Sequence, residues 1–335
     1  MKLSVVIPVY NGGSDLRLCL QALGQASRKP DEVIVVDDGS TDGAPACAAE
    51  FSAKVIHLKG PRGPAVARNH GAREAGGDVL VFVDADVMIH ADTLERFERL
   101  FTDNPEVSAA FGSYDDRPPA RGNVSRYKNL LHHYVHQQGG GDAETFWAGC
   151  GCVRREAFLA MDGFAETYAR PSIEDIELGV RLREAGHRIV LRPEIQCTHL
   201  KRWTLGSLLR TDIFSRAVPW SRLIVRQGRL PSGLNTDSKS RWSAMLAWLA
   251  AMAVPTCLVS AGLGCLGCSA SAAGLAAAFG LVLIALNRAI YRFFFGHGGL
   301  VFGVTAVSLH VLYLLYGSLV FCCVLGAAKL RGSDG

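Results

Sequence analysis

A chain of 335 residues with 35 Lys and Arg against 31 Asp and Glu has a formal net charge of +4. That excess is too small to argue for a nucleic-acid partner. The length suggests two units, and acidic residues all but vanish between Trp242 and Ala328, so a mixed, charged domain is followed by an apolar one.

Taken in chain order, Met1-Lys2-Leu3-Ser4 leads straight into a short apolar run instead of a cleavable signal peptide, which predicts a cytoplasmic N-terminal domain. Leu3 to Ile7, Glu32 to Val36, Lys54 to Leu58 and Val79 to Val83 are short and rich in β-branched residues, as buried parallel strands are. Helical segments are expected from about Ser14 to Ala26 and from Ala65 to Ala75. Strand and helix in alternation predict an α/β domain with a mostly parallel sheet. In such sheets ligands bind beyond the carboxyl ends of the strands, so the residues after each run carry the information.

After the first strand comes Pro8-Val9-Tyr10-Asn11-Gly12-Gly13, which lacks the Gly-x-Gly-x-x-Gly of nicotinamide and flavin sites. After the second comes Asp37-Asp38-Gly39-Ser40, an ordinary Asp-Gly turn or a carboxylate for a base N–H or ribose hydroxyl. Arg62 and Arg68 flank the start of the next helix and could balance a diphosphate or serve as salt-bridge partners. Asp84-Ala85-Asp86 closes the fourth strand. Alternate residues of an extended chain point the same way, so both carboxylates can turn toward one Mg²⁺ or Mn²⁺. An isolated Asp-x-Asp is more often a plain strand end.

Further on, His132 and His136 lie a helical turn apart but lack the Glu of a His-Glu-x-x-His zinc site. Tyr127, Tyr134 and Gln137 suggest a polar wall of an acceptor groove instead. Glu174 and Asp175 open a helical pattern that runs to Gly186, where acidic residues also complement the helix dipole. Leu205, Leu208, Leu209, Ile213 and Ala217 share a face until Pro219 interrupts, which suits a helix lying in a membrane interface. Nine Lys or Arg against two Asp lie between Lys201 and Arg241, a positive-inside bias. Apolar stretches near 243–263, 268–287 and 300–326 each approach the roughly 20 residues needed to cross a bilayer. The middle one is rich in Ala and Gly, and Lys329 with Arg331 keeps a two-crossing arrangement open. The ten cysteines show no disulfide framework and read as small apolar fillers in a reducing compartment; Cys150 and Cys152 are too close for a zinc knuckle, and Cys265, Cys268, Cys322 and Cys323 lie in apolar sequence.

Pro8-Val9-Tyr10-Asn11, Asp37-Asp38-Gly39-Ser40, Ala67-Arg68-Asn69 and Asp84-Ala85-Asp86 occur in the order and spacing of family 2 glycosyltransferases of the GT-A fold, which this chain resembles over about residues 1–205. The resemblance implies that Pro8, Tyr10, Asn11, Asp37, Asp38, Arg62, Arg68, Asp84 and Arg202 bind the donor, a nucleoside diphosphate sugar of the UDP or GDP type. It implies Mg²⁺ or Mn²⁺ on Asp84 and Asp86, with His199 beside it. Asp175 falls at the catalytic base position, with Glu174 in support. Trp147-Ala148-Gly149-Cys150-Gly151 looks like the family's small-residue segment, which puts Gly149, Cys150 and Gly151 on the acceptor side. His199-Leu200-Lys201-Arg202-Trp203 resembles a Gln-x-x-Arg-Trp element with His in place of Gln, and there Arg202 faces the diphosphate and Trp203 borders the acceptor.

The expected organisation is a GT-A catalytic domain at 1–203, an amphipathic basic segment at 204–241 and a transmembrane domain at 242–328. The expected activity is inverting, metal-dependent transfer of a sugar to a lipid or lipid-linked acceptor at the cytoplasmic membrane, a cell-envelope glycolipid reaction. A processive polysaccharide synthase would need a channel, which three or fewer crossings do not supply. A non-catalytic scaffold would have no use for Asp175, and a sugar nucleotidyltransferase would need a Gly-rich triphosphate loop that Gly12-Gly13 does not provide.

Overall fold

The computed structural model describes residues 1–228 and 237–332, in two compact units that divide between Trp203 and Thr204. The first unit runs β1 (Leu3–Val9), α1 (Gly13–Gln25), β2 (Glu32–Asp37), α2 (Ala44–Glu50), β3 (Lys54–His57), α3 (Pro64–Glu74), β4 (Val79–Val83), β5 (Val87–Ile89) and α4 (Thr93–Asp103). It continues as β6 (Val107–Tyr114), α5 (Asn123–Gln138), β7 (Gly141–Asp142), β8 (Cys150–Arg154), α6 (Arg155–Ala160), α7 (Glu174–Glu184) and β9 (Arg188–His199).

The strands form one sheet in the order β3-β2-β1-β4-β8-β6-β9-β5, with β7 added to β9. The first four strands pair in parallel, joined by crossover helices. From β8 outward the sheet is mixed, because β8 runs antiparallel to both β4 and β6, and β5 and β7 run antiparallel to β9. All five residues of β4 are fully buried, as a central strand covered on both faces must be.

Three residues, Asp84 to Asp86, join β4 to β5, yet β8, β6 and β9 lie between them in the sheet. Across a flat sheet that is about 19 Å at ~4.8 Å per strand, whereas four Cα steps from Val83 reach at most about 14 Å. The sheet therefore curls. The 12-residue β9 is offset from β6 by two register shifts, and its end brings His199 opposite Val87. The Asp84–Asp86 turn thus bridges the two halves of the sheet, with the Leu200 N–H bonded to the Asp86 carbonyl.

The second unit begins with α8 (Leu205–Arg210), a π-helical turn (Thr211–Ala217) and α9 (Val218–Gln227). Pro219 does not interrupt this run, contrary to the sequence expectation. The π-helical turn directly before it absorbs the missing N–H and the ring, which an α-helical ladder would not accommodate. Nor is the polar face of this segment simply outward: Asp212 is buried and accepts a hydrogen bond from the Tyr316 hydroxyl at 2.7 Å, while Phe214 is exposed. Arg229, one of the nine basic residues of the segment, lies outside the described residues.

Three helices, α10 (Ser238–Gly262), α11 (Leu266–Leu286) and α12 (Arg288–Gly332), are long and apolar enough to cross a membrane. Gly299, at φ 68°, breaks α12, so that its longer apolar part begins at Leu300. Polar side chains between these helices pair with one another: Trp248 Nε1 donates to Ser318 Oγ and Asn287 Nδ2 to Ser243 Oγ, each at 2.9 Å. The reading of all cysteines as unpaired fillers is corrected at one place. Cys265, at the amino cap of α11, and Cys268, in its first turn, are disulfide-bonded. A spacing of three residues at the start of a helix brings two side chains to the same face, as the apolar character of the surrounding sequence does not reveal.

Gly179 on α7 shows what docks the helix that carries Glu174 and Asp175. A Cβ at that position would fall on the backbone of Thr145 and Phe146. Gly179→Ala should destabilise the first unit by about 1–3 kcal/mol, the usual cost of overpacking, seen as a lowered melting temperature. An unchanged melt would mean that α7 is free to shift.

Candidate active site

The polar loops at the carboxyl ends of β1, β2 and β4 and the start of α7 meet at one edge of the sheet. Asn11, at φ 52°, ties the first two loops together: its Oδ1 accepts from the Thr41 N–H at 2.7 Å, and its own N–H donates to Ser40 Oγ at 3.0 Å. Asp37 is buried and accepts from the Ser40 N–H at 2.9 Å, with His57 Nδ1 3.2 Å from its other oxygen. Asp38 uses both oxygens on the loop before α3, accepting from the Arg62 and Gly63 N–H groups at 2.8 and 2.7 Å. The Asp-Gly turn is therefore a backbone organiser as well as a donor-site candidate. Tyr10 and Arg62 are exposed beside it, and Pro8 is half-buried in β1.

Arg68 differs from the expectation. Its guanidinium is buried and ion-paired on both sides, to Asp84 Oδ1 at 2.6 Å and to Glu174 Oε1 at 3.0 Å, so it is not an open cation for a diphosphate. The two carboxylates hold its charge above the ordinary arginine range against the opposing effect of burial. Glu174 is itself buried, and its other oxygen accepts from the Ser172 N–H at 2.8 Å. The chain Asp84–Arg68–Glu174 thus fastens the β4 turn to the first residue of α7.

Asp175, the next residue, accepts from the Ala148 N–H at 3.1 Å and from the Ile176 N–H at 2.8 Å. Burial and the neighbouring Glu174 charge raise its pKa to about 6, against the opposing pull of Arg68 and the two amides. A carboxyl balanced near neutrality at a polar sheet edge has the properties of a general base.

On the other side of the turn, His199 Nδ1 lies 2.6 Å from Asn129 Oδ1, and the ring stacks on Tyr114 at 4.4 Å. With Nδ1 engaged by Asn129, the other ring nitrogen, Nε2, faces Asp86 Oδ2 at 3.6 Å. Burial works against the charge on Asp86, but His199 and Lys201 hold its carboxyl below the usual carboxylate range. Asp86, His199 and the partly exposed Asp84 therefore suit a divalent ion. Among the described residues no three His, Cys, Asp or Glu side chains form a ready ion cage. Mg²⁺ and Mn²⁺ sites of this kind draw the remaining oxygens from water and substrate phosphates.

Two groups of expected residues fall elsewhere. Gly149, Cys150 and Gly151 are buried at the start of β8 and do not line an open acceptor side. Cys150 pairs with Val83, and a Cβ on Gly149 would come within 2.6 Å of the Trp147 ring, so the small residues make room for aromatic side chains. Of the expected wall on α5, Tyr127 is buried and Gln137 Nε2 donates to the Pro193 carbonyl at 3.0 Å, and the histidines of that helix face inward. His133 and His136 are buried with Nδ1 bonded to the Tyr114 and Gly112 carbonyls, and His132 and His136 pack on Trp147. Burial pushes His136 down to about 4, which keeps it neutral. Trp203 is buried under Lys201, whose Nζ lies 4.8 Å from the ring centroid, and Arg202 is exposed beside it. Asn129 was not legible in the sequence. It sits 70 residues before His199, and a mid-helix Asn is only a faint hint of a buried partner.

A curled mixed sheet with nucleotide-type loops at the ends of its parallel strands, a carboxylate turn after the central strand and a raised carboxyl opposite it defines a GT-A-like sugar-nucleotide fold. Residues 4–160 match the family model described as "Glycosyl transferase family 2". That match makes residues 4–160 similar to a family 2 glycosyltransferase domain. The chain is 37% identical over 98 residues to the uncharacterized glycosyltransferase YibD of Escherichia coli, covering 28% of each chain. It is 24% identical over 241 residues to the O-antigen chain rhamnosyltransferase RfbN of Salmonella typhimurium, covering 66% of this chain and 74% of the other. Of several curated relatives it matches, the chain spans a third of the length or less. In fold it is similar to the mannosyltransferase PcManGT of Pyrobaculum calidifontis, whose structure holds GDP-Man and Mn²⁺, with a TM-score of 0.58, 20% identity and coverage of 95% of this chain and 86% of the other.

Arg68→Ala would leave Asp84 and Glu174 without their shared counter-ion. Breaking a buried pair of this kind costs about 3–5 kcal/mol, and loss of the nearby positive charge should raise the Asp175 pKa further. Thermal melts of the wild type, Arg68→Ala and Arg68→Lys, with the last intermediate, test the bridge; three equal melts would remove it from the structure's support.

Proposed function

We propose that the protein is an inverting glycosyltransferase that moves a sugar from a nucleoside diphosphate donor to a lipid or lipid-linked acceptor. The observation that carries this reading is Asp175. It is a partly buried carboxyl with a pKa of about 6, joined through Glu174 and Arg68 to the Asp84–Asp86 turn. Base and donor corner are thereby held in one frame.

In the proposed reaction, the buried Asp37 and the loop that Asn11 ties to it receive the nucleoside, with Tyr10 and Arg62 at its margin. Asp84, Asp86 and His199 are the residues that would hold Mg²⁺ or Mn²⁺. When bound, such an ion offsets the charge developing on the departing diphosphate. Asp175 accepts the proton of the acceptor hydroxyl while that oxygen bonds to the anomeric carbon and the bond from that carbon to the diphosphate breaks. One base on the face opposite the leaving group inverts the anomeric centre and needs no covalent enzyme intermediate. Ala148 and Ile176 keep the carboxylate oriented through their N–H groups.

The acceptor class is inferred from the rest of the chain. Three helices long and apolar enough to cross a membrane follow directly on a strongly basic segment. A cytoplasmic-membrane position for the catalytic domain suits that charge bias. A soluble acceptor would not call for such helices.

Incubating the full-length protein with a panel of nucleotide sugars and a total lipid extract, followed by mass spectrometry, tests donor and acceptor together. One glycosylated lipid product is expected, and transfer to soluble sugars alone would overturn the lipid assignment. Asp175→Asn should lower turnover by several orders of magnitude while nucleoside diphosphate binding persists. Because the base works when ionised, the wild-type rate should rise with pH to a plateau above about 6. A rate flat down to about pH 4 would exclude Asp175 as the base.

A further inference from the structure

A cavity of about 480 Å³ lies at the amino end of α5, where Arg121, Ser125, Arg202 and Trp203 line it together with Pro119, Ala120 and Gly122. No carboxylate lines it. Arg121 and Arg202 are both exposed, and no hydrogen bond or ion pair ties either side chain among the described residues. The 16-residue α5 begins after Gly122 without a side-chain cap, so the amino end of the helix, with the positive end of its dipole, lies at the cavity. Trp203, only 6% exposed, has an indole N–H without an acceptor. Three independent sources of positive potential or N–H donors therefore surround one cavity.

The cavity is coupled mechanically to the donor corner. Ser125 Oγ accepts from the Trp203 N–H at 2.7 Å, and Asn129, one turn further along α5, holds His199 against Asp86. Four residues of helix advance only about 6 Å. A group seated at the start of α5 is thus close enough for the remainder of the same molecule to approach Asp86.

We infer that this cavity holds a phosphate group of the acceptor, as a handle separate from the donor diphosphate. The inference rests on the transferase reading above, and deepens it: the acceptor is a phosphorylated molecule. Two Arg residues and a helix amino end are suited to phosphate. A neutral glycolipid would have no use for them. The same chemistry could be offered by a lipid phosphate or by a soluble phosphorylated acceptor.

The test uses the full-length protein in phosphatidylcholine nanodiscs, first titrated calorimetrically with GDP and UDP, then with inorganic phosphate after the donor site is saturated. Saturable phosphate binding is expected, weakened at least tenfold by Arg121→Gln and less by Arg121→Lys, with nucleoside diphosphate affinity unchanged within about twofold. Arg121 is exposed, so the fold should survive, and a thermal melt checks this. Wild-type-like phosphate binding by Arg121→Gln, or no phosphate binding by a protein that binds nucleoside diphosphate, overturns the site. If neither nucleotide binds, the donor reading fails, while the phosphate titration still decides the cavity. Nanodiscs doped with phosphatidic acid identify the source. Weakened inorganic phosphate binding there, absent with phosphatidylglycerol at equal charge, assigns the site to a lipid phosphomonoester. Unchanged binding in both assigns it to a soluble phosphorylated acceptor.

Discussion

The site depends on one buried guanidinium. Arg68 comes from α3, Asp84 follows β4 and Glu174 begins α7, so a single side chain joins segments 16 and 106 residues away. Removing a guanidinium from water is costly, and one carboxylate rarely offsets the cost; two, at 2.6 and 3.0 Å, do so while satisfying donors on both sides of the fork. The bridge also acts on the residue next to Glu174. Burial and the Glu174 charge drive the Asp175 proton affinity up, and Arg68 pulls it back, which leaves the carboxyl at about 6. A base far above neutrality would be protonated at working pH, and one far below would be too weak to accept a proton.

The opposite wall of the site is built by strand geometry. Curling of the sheet brings the end of β9 against β5, and this pairing sets His199 beside Asp86. Asn129 then decides which ring nitrogen faces the carboxylate. The α5 histidines that look like metal ligands in one dimension are turned into the core, where carbonyls and Trp147 occupy them. The same helix opens, at its other end, onto the cavity with Arg121 and Arg202. One helix thus carries core, donor-corner support and an anion-suited end.

In the second unit, local chemistry overrode periodicity at Pro219. The π-helical turn lets a helical run pass through that residue, and the same turn buries Asp212, which accepts from the Tyr316 hydroxyl. The apolar spans themselves follow directly from composition, since some 20 residues without charge leave few alternatives to a long helix. The break at Gly299 separates a short lead-in from the last of them.

The sequence alone determined the β-α alternation of the first four strands, the position of Asp84 and Asp86 at the end of the central one, the start of α7 at Glu174 and the apolar character of the three stretches that follow Trp242. These are local properties: period, β-branching, turn residues and length. It also carried the family resemblance, because the motif residues stand in a fixed order along the chain. Only the tertiary structure decided what each polar group faces. Arg68 turned from a candidate diphosphate ligand into a structural bridge, Gly149 to Gly151 from an acceptor wall into space for aromatic rings, and Asn129 and Arg121 from unremarked residues into neighbours of the site. Those outcomes depend on partners tens of residues distant, brought together by sheet curl and helix docking, and periodicity along a chain holds no record of such distances.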